Sequence, residues 1–476
     1  MNKHTVSLLF VICLTSASVS AAAGDDIVNE KTDQKFLKLD IRSSVSIAVA
    51  NSFELQEIRA KEGLYDLAID EKLRSYFPSL TFSYMQTDEV RKRDSDSRSS
   101  RLSIESEFPI YDGGKRSLDY DIAKLNALLA RNDYRISANK LIASVREGYL
   151  NLLKLRETIK IIRITLEHGM LQLQFIRKEF ELGDATKLSV IEIEAKIKEI
   201  ELALKQAADE YETALNQYKL LLRINRHTPV EIDGDLDKDF VIIPAMAINV
   251  EEFVSIALKM KKEIESSTAK YEISMRNNEM SENYFLPNVS LGLNYNLNGE
   301  EYPPKEKGWG VNIKFSTRIL GNTISGGTGY NEGGNGNSKS RSGNSSADVL
   351  NDMPYKSTLV ESRIEMAKAN DELAVMKDSI AAEIVSLCAG IINSWDMIGI
   401  ASKQVELYDA QLIIERLKAD MGESRRYDLL EKEIDRGKAA VALLNSKIKY
   451  LMSASNLELS TGMDVGFLRN YIKSKE

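Results

Sequence analysis

The chain has 476 residues, 43% of them hydrophobic and 28% charged, so it is neither a disordered chain nor an all-apolar membrane protein. Its formal charge of −8 argues against nucleic acid as the main partner.

Residues 1–23 read as a secretory signal peptide. Lys3 supplies the positive end, 6–14 is an apolar run too short to span a bilayer, and 18–23 offers small residues for cleavage after Ala21 or Ala23. Cys13 lies inside the apolar run, and Phe10-Val-Ile-Cys13 is a poor lipoprotein box. The processed chain then keeps only Cys388, expected as a buried small hydrophobe, with no disulfide framework and no cysteine-based metal site. No later stretch has 18 or more consecutive apolar residues, so no transmembrane helix is expected.

A first repeat occupies 41–227. It opens with a helical pattern over 41–76 and continues into a strand pair over 79–110. There Leu80, Phe82 and Tyr84 alternate with Thr81 and Ser83, and Leu102, Ile104 and Phe108 alternate with Arg101, Ser103, Glu105 and Glu107. A proline-free helical hairpin follows over 115–225, with apolar residues such as Leu125, Leu128, Leu129, Ile136, Leu141 and Val145 at helical spacing. Its arms are 115–181 and 187–225, turning at Leu182-Gly-Asp-Ala-Thr186. A linker at 228–249 carries Pro229, Asp233-Gly234 and Pro244.

A second repeat, 250–465, has the same plan. A helix over 250–284 precedes a strand pair over 287–319. Val289, Leu291, Leu293, Tyr295 and Leu297 face one way and Asn288, Ser290, Gly292, Asn294 and Asn296 the other. Trp309, Val311, Ile313 and Phe315 oppose Gly310, Asn312, Lys314 and Ser316. Next comes 321–346, where 19 of 26 residues are Gly, Asn or Ser; that composition predicts a flexible insert. The second hairpin, 356–462, has arms 356–420 and 427–462 around a tip at Gly422. A C-terminal tail, 466–476, is expected at the level of the linker.

In both hairpins the return arm is shorter than the descending one. The helices 41–76 and 250–284 are therefore predicted to stack end to end with the short arms and cover what they leave bare. The strands suit a two-sided soluble sheet or a transmembrane barrel. Their length, the Tyr and Trp near their ends and the fully polar opposite face fit the barrel. Four strands have open edges, which cannot be left in lipid, so they must close on other copies; three copies give twelve strands. The fold class is thus an α+β membrane protein: a barrel of long helical hairpins continuous with a transmembrane β-barrel, built on an internal two-fold repeat.

Enzymatic readings are poor. His4, His168 and His227 are the three histidines, and no Ser-His-Asp set, metal cluster or phosphate loop can be assembled. His168 is expected on the helix surface, and no cofactor is implied.

Four segments carry a resemblance: Tyr76-Phe-Pro-Ser-Leu80, Pro109-Ile-Tyr-Asp-Gly-Gly-Lys-Arg116, Phe180-Glu-Leu-Gly183 followed by Val190-Ile-Glu192, and Met421-Gly-Glu-Ser-Arg-Arg-Tyr-Asp-Leu-Leu430. In order, spacing and duplication they resemble the TolC-like outer-membrane efflux family over about 41–465. The resemblance implies a homotrimer in outer-membrane lipid that extends into the periplasm as a helical tunnel. Its partners would be a periplasmic adaptor protein and an inner-membrane transporter. It also matches Asp428 and Glu431 to acidic positions just above the periplasmic entrance. Being three apart, they share a helix face, and three copies would ring the pore with six carboxylates whose mutual repulsion raises their pKa values. The family's tip lock includes an Arg in the second tip, aligned here with Ser424 and followed by Arg425 and Arg426. The acidic position of the first tip aligns with Ser189, with Asp184 nearby. The wet strand faces, with Arg101, Ser103, Glu105, Asn294, Asn296, Asn312 and Lys314, would line the barrel lumen. The function expected is a passive exit duct of a tripartite efflux or type I secretion system, opened at its tips. The competing reading is a non-transport strut bridging outer membrane and periplasm. A periplasmic adaptor would need one hairpin and compact β domains.

Overall fold

The structure is a computed structural model that describes residues 37–89, 97–236, 248–352 and 354–462. The expected signal peptide, Cys13, half of the linker (237–247) and the C-terminal tail lie outside the described residues.

The described residues begin with β1 (Leu37–Leu39), α1 (Ile41–Asn51) and α2 (Phe53–Arg74), followed by β2 (Ser79–Glu89) and β3 (Ser97–Asp112). The first hairpin is α3 (Lys115–Leu182) and α4 (Lys187–Leu221). After β4 (Val230–Ile232) come α5 (Val250–Met260), α6 (Lys262–Glu282), β5 (Asn288–Gly299), β6 (Glu306–Ile319), β7 (Asn322–Gly333) and β8 (Ser338–Asp348). The second hairpin is α7 (Tyr355–Asp420) and α8 (Arg426–Ser460). At 68 and 66 residues, α3 and α7 are each about 100 Å long.

Each predicted short helix is two helices. The chain takes extended backbone at Ser52 and again at Lys261, 209 positions later. Burial repeats at that offset: Ser44 with Phe253, Ala48 with Ala257, and Leu55 with Ile264 are all buried. Neither break contains Gly or Pro; at the first, the Ser52 Oγ accepts from the Leu55 N–H and starts a new helix.

The short helices abut the ends of the return arms. The Asn51 side chain donates to the Leu222 carbonyl at 3.2 Å, where α1 meets the end of α4. Lower on α3, Arg177 pairs with Glu194 of α4; higher, Arg131 pairs with Asp66 of α2. In the second half, Glu383 of α7 receives both the Lys261 ammonium at 2.6 Å and the Ser460 hydroxyl at 2.7 Å. One carboxylate therefore marks where α5, α6 and α8 converge. The main core lies at this equatorial level. It joins Leu39, Ala48, Val145, Leu152, Tyr218, Ile232, Phe253, Ile384, Cys388 and Leu457, with β1 and β4 paired in parallel beside it. A smaller core near the tips contains Leu166, Ile176, Ile193, Ile197, Ile200 and Leu430.

One described helix, α7, is long and apolar enough to cross a membrane by length and composition, although it holds no run of 18 consecutive apolar residues; 28% of its most apolar 18-residue window is buried. Its length comes from the hairpin, where α5, α6 and α8 all pack along it. Its bare apolar side includes Val385, Ile392, Ile400, Leu407 and Ile414.

The sheet corrects the strand count. It has six strands in the order β2-β3-β5-β6-β7-β8, all antiparallel, and not four. The predicted flexible insert, 321–346, is the β7–β8 hairpin. Its composition gives no apolar alternation, but β6 offers a full row of backbone donors and acceptors, and pairing with it needs no side chain. Across β2, β3, β5 and β6 the register collects Phe82, Ile104, Tyr295 and Trp309, together with Leu291 and Ile313, on one face. This apolar band thins on β7, where Ile324 and Tyr330 alternate with Gly326 and Thr328, and on β8 it holds Lys339, Arg341, Gly343, Ser345 and Ala347.

Candidate functional site: the pore faces and the helical tips

All the predicted lumen residues lie on the polar face of the sheet. Arg101 donates to the Asn298 side chain at 2.9 Å, and Ser103 exchanges a hydroxyl bond with Ser83 at 2.6 Å. Glu105 stands opposite Asn294, and Asn296 opposite Ser103. Lys314 pairs with Glu107 at 3.8 Å. Glycines make room for the amides: the Asn312 side chain lies where a Cβ on Gly292 would be, Asn296 does the same at Gly308, and Asn294 and Asn331 do so at Gly310. The result is a trough of about 620 Å³ edged by Glu107, Asn312, Lys314, Ser325 and Asn344, with the Asn312 Oδ1 free of a protein partner. Mixed charge and short amides make a wet surface without a dominant sign.

At the other end, both tips turn on glycines in the left-handed region, Gly183 at φ 88° and Gly422 at φ 76°. Thr186 caps α4 by accepting from the Ser189 N–H at 3.2 Å. Asp428 lies in the first turn of α8, where the helix dipole favours a carboxylate, with Glu431 one turn on. Neither has an ion-pair partner among the described residues.

The tip arginines differ. Arg425 occupies the cap position of α8, and its backbone carbonyl accepts from the Asp428 N–H. Arg426 reaches across to the other hairpin. Its Nε donates to Glu179 of α3 at 3.0 Å, its Nη1 to Asp420 at 3.3 Å, and its guanidinium lies 5.1 Å from the Phe175 ring centre. Only 14% of the Arg426 side chain is exposed. Ser424 bonds to Glu415 within its own hairpin, and Asp184 is exposed with its backbone N–H donating to the Glu179 carbonyl.

Above the tip, α3 and α8 run antiparallel in constant register. Glu179 meets Arg426, His168 meets Glu433, Thr165 meets Gly437, and Arg146 meets Ser455. Glu433 is the residue that sequence reasoning missed. Its side chain is 2% exposed, its carboxylate lies 3.4 Å from Arg416 and 3.6 Å from His168, and its Oε2 has no partner. Burial raises its pKa, with His168 and Arg416 only partly opposing. His168, expected as a plain surface residue, is half-exposed but abuts this buried acid. Glu179, Asp420 and Glu433 carry no motif. The one available signal is that Glu433 shares a helix face with Leu429 and Leu430 at helical spacing.

Residues 45–222 match the model of the outer membrane efflux protein family. The alkaline protease secretion protein AprF of Pseudomonas aeruginosa is 24% identical over 235 residues, 49% of this chain. The chain spans about half, 46%, of that curated relative's length. Among solved structures, the CmeC outer membrane channel of Campylobacter jejuni aligns with a TM-score of 0.69 at 16% identity, covering 91% of this chain and 89% of that one. The outer membrane protein VceC of Vibrio cholerae aligns at 0.73 and 13% identity, covering 89% and 96%. The resemblance to TolC-like efflux proteins read from the four motifs is thus met in both sequence and fold, and these neighbours are membrane proteins and channels rather than enzymes.

Proposed function

We propose that this chain is one third of a trimeric outer-membrane duct, the passive exit path of an efflux or type I secretion system. One observation carries the reading. A sheet with an apolar band across β2, β3, β5 and β6 on one face and an amide-lined trough on the other runs directly into helices about 100 Å long. A strut needs the length but has no use for the wet face. The bare apolar side of α7 fits against a second copy, and the band supplies the surface for outer-membrane lipid. Energy and choice of cargo come from an inner-membrane transporter, reached through a periplasmic adaptor that grips the tips.

The gate in this reading is the tip. Asp428 and Glu431 form the acidic constriction, and Arg426 holds the two hairpins together through Glu179 until the adaptor loosens the link. Arg425, Ser424 and Asp184 face the neighbouring copy or the adaptor. Single-channel recording from the purified protein in planar bilayers tests the whole reading: a stable, cation-preferring conductance is expected. Complete absence of conductance in a folded, membrane-inserted protein would leave the strut as the better account.

A further inference from the structure

The β7–β8 hairpin does not suit the wall to which it is bound. The apolar band that would face lipid ends there. On that face β8 offers Lys339, Arg341, Gly343, Ser345 and Ala347, and its other face is serine and asparagine ending in Asp348. Through the register, Arg341 is level with Tyr330 and Val311, midway along β6, which puts a guanidinium at mid-bilayer depth. Every residue of β8 is exposed. Strands with charge on their faces are what soluble sheets use to blunt an edge.

The hairpin is also closed on itself at its base. Its two ends are tied to each other: the Leu350 N–H donates to the Asn322 Oδ1 at 2.8 Å, Asn351 donates to the Thr323 hydroxyl at 3.1 Å, and Ser325 and Ser346 exchange a bond at 2.7 Å. Two residues at the base of the hairpin are backbone outliers, Leu320 just before the ties and Leu350 within them. Leu320 has φ 49° and Leu350 φ 58°, positions that branched side chains avoid and that the surrounding structure must hold under strain. Both leucines are exposed.

We propose that β7–β8 is a removable cap on the edge of β6. In the single chain it closes that edge. On assembly the β2 edge of a second copy takes its place, and the hairpin, with its tied base, swings about Leu320 and the chain after Asn351 into water at the junction of barrel and helices. The exchange trades one antiparallel ladder for another, so hydrogen bonding is conserved. It also sets Leu80, Phe82 and Tyr84 of the incoming β2, all exposed in the single chain, beside Trp309, Val311 and Ile313, which makes the apolar belt continuous. Six strands in the single chain then become four in each third of the wall. This inference rests on the trimeric reading above.

Two cysteine pairs in the full-length protein test it. Ser316 and Ser325 are direct partners on β6 and β7, so S316C/S325C staples the cap to the edge when oxidised. S325C/S346C staples the hairpin only to itself. The expected result, by light scattering in detergent with outer-membrane lipid, is at least a tenfold loss of trimer for oxidised S316C/S325C, restored on reduction, while S325C/S346C is trimeric in both states. If oxidised S316C/S325C trimerises as well as its reduced form, the hairpin is a permanent part of the wall and the proposal is wrong. Loss of trimer in oxidised S325C/S346C as well would overturn release as a unit. Reduced protein that stays monomeric in both pairs would instead overturn the trimeric reading beneath it.

Discussion

Two carboxylates respond to pH in opposite directions. Glu433 is pushed up by burial, with His168 and Arg416 only partly opposing. Its ionisation therefore costs the folded chain stability as pH rises past the ordinary Glu value, and the cost is complete above its folded pKa. Glu433→Gln removes that cost, so the variant should melt above wild type at neutral pH, with the gap closing as pH falls toward about 4.3. Thermal melts across pH 4–8 would show it; a gap independent of pH would contradict the burial argument. For Glu383, burial raises the pKa, but the bonds from Lys261 and Ser460 outweigh it and hold the carboxyl below its ordinary range. That contribution is present above the ordinary pKa and is lost as pH falls through the depressed one, so Glu383→Gln should destabilise most near neutrality. At the tip, Arg426→Ala removes two ion pairs and a ring contact, at about 1 kcal/mol of hairpin contact, whereas Arg425→Ala removes none. Conductance should rise in Arg426→Ala and stay at wild-type level in Arg425→Ala. Equal behaviour of the two would show that the link to Glu179 does not hold the tip.

Among the elements, α3 and α8 depend on small residues for their close approach. A Cβ on Gly437 would lie 2.8 Å from the Thr165 hydroxyl, and one on Gly169 would lie 3.3 Å from Leu430. Alanine at 437 is absorbed by turning Thr165, but Gly437→Leu should force the hairpins apart, costing about 1–3 kcal/mol and raising tip accessibility to a thiol reagent. A rate of labelling unchanged from wild type would place the contact elsewhere. The long hairpins and the strands β2, β3, β5 and β6 were legible because periods of 3.6 and 2 persist over many residues, as in Leu291, Leu293 and Tyr295. The β7–β8 hairpin was not, since serine and glycine leave no period and its partner, the β6 edge, is a backbone property. The breaks at Ser52 and Lys261 were hidden for a related reason: neither is a helix-breaking residue, and packing at the equator imposes both. Arg426 was identified from its neighbourhood, but its partner Glu179 lies 247 positions away and no local pattern reports it.

For the whole molecule, the short helices, return arms and sheet divide the length into two levels joined at the equator. Opening at the tips is expected to leave the barrel unchanged: in planar bilayers, Arg426→Ala should alter conductance without changing the accessibility of cysteines placed at Asn294 or Asn312. Among the described residues, α3 and α7 alone cross the equator unbroken; the other long helices have an end there, at Ser52, Leu222, Lys261 or Thr461. Each copy thus hangs its lower half from two continuous rods, and the remaining helices are spacers that meet at hinges of equal height. In the trimer proposed above, torque applied at the tips would be spent in part turning those hinges, so that only the two rods carry load toward the sheet.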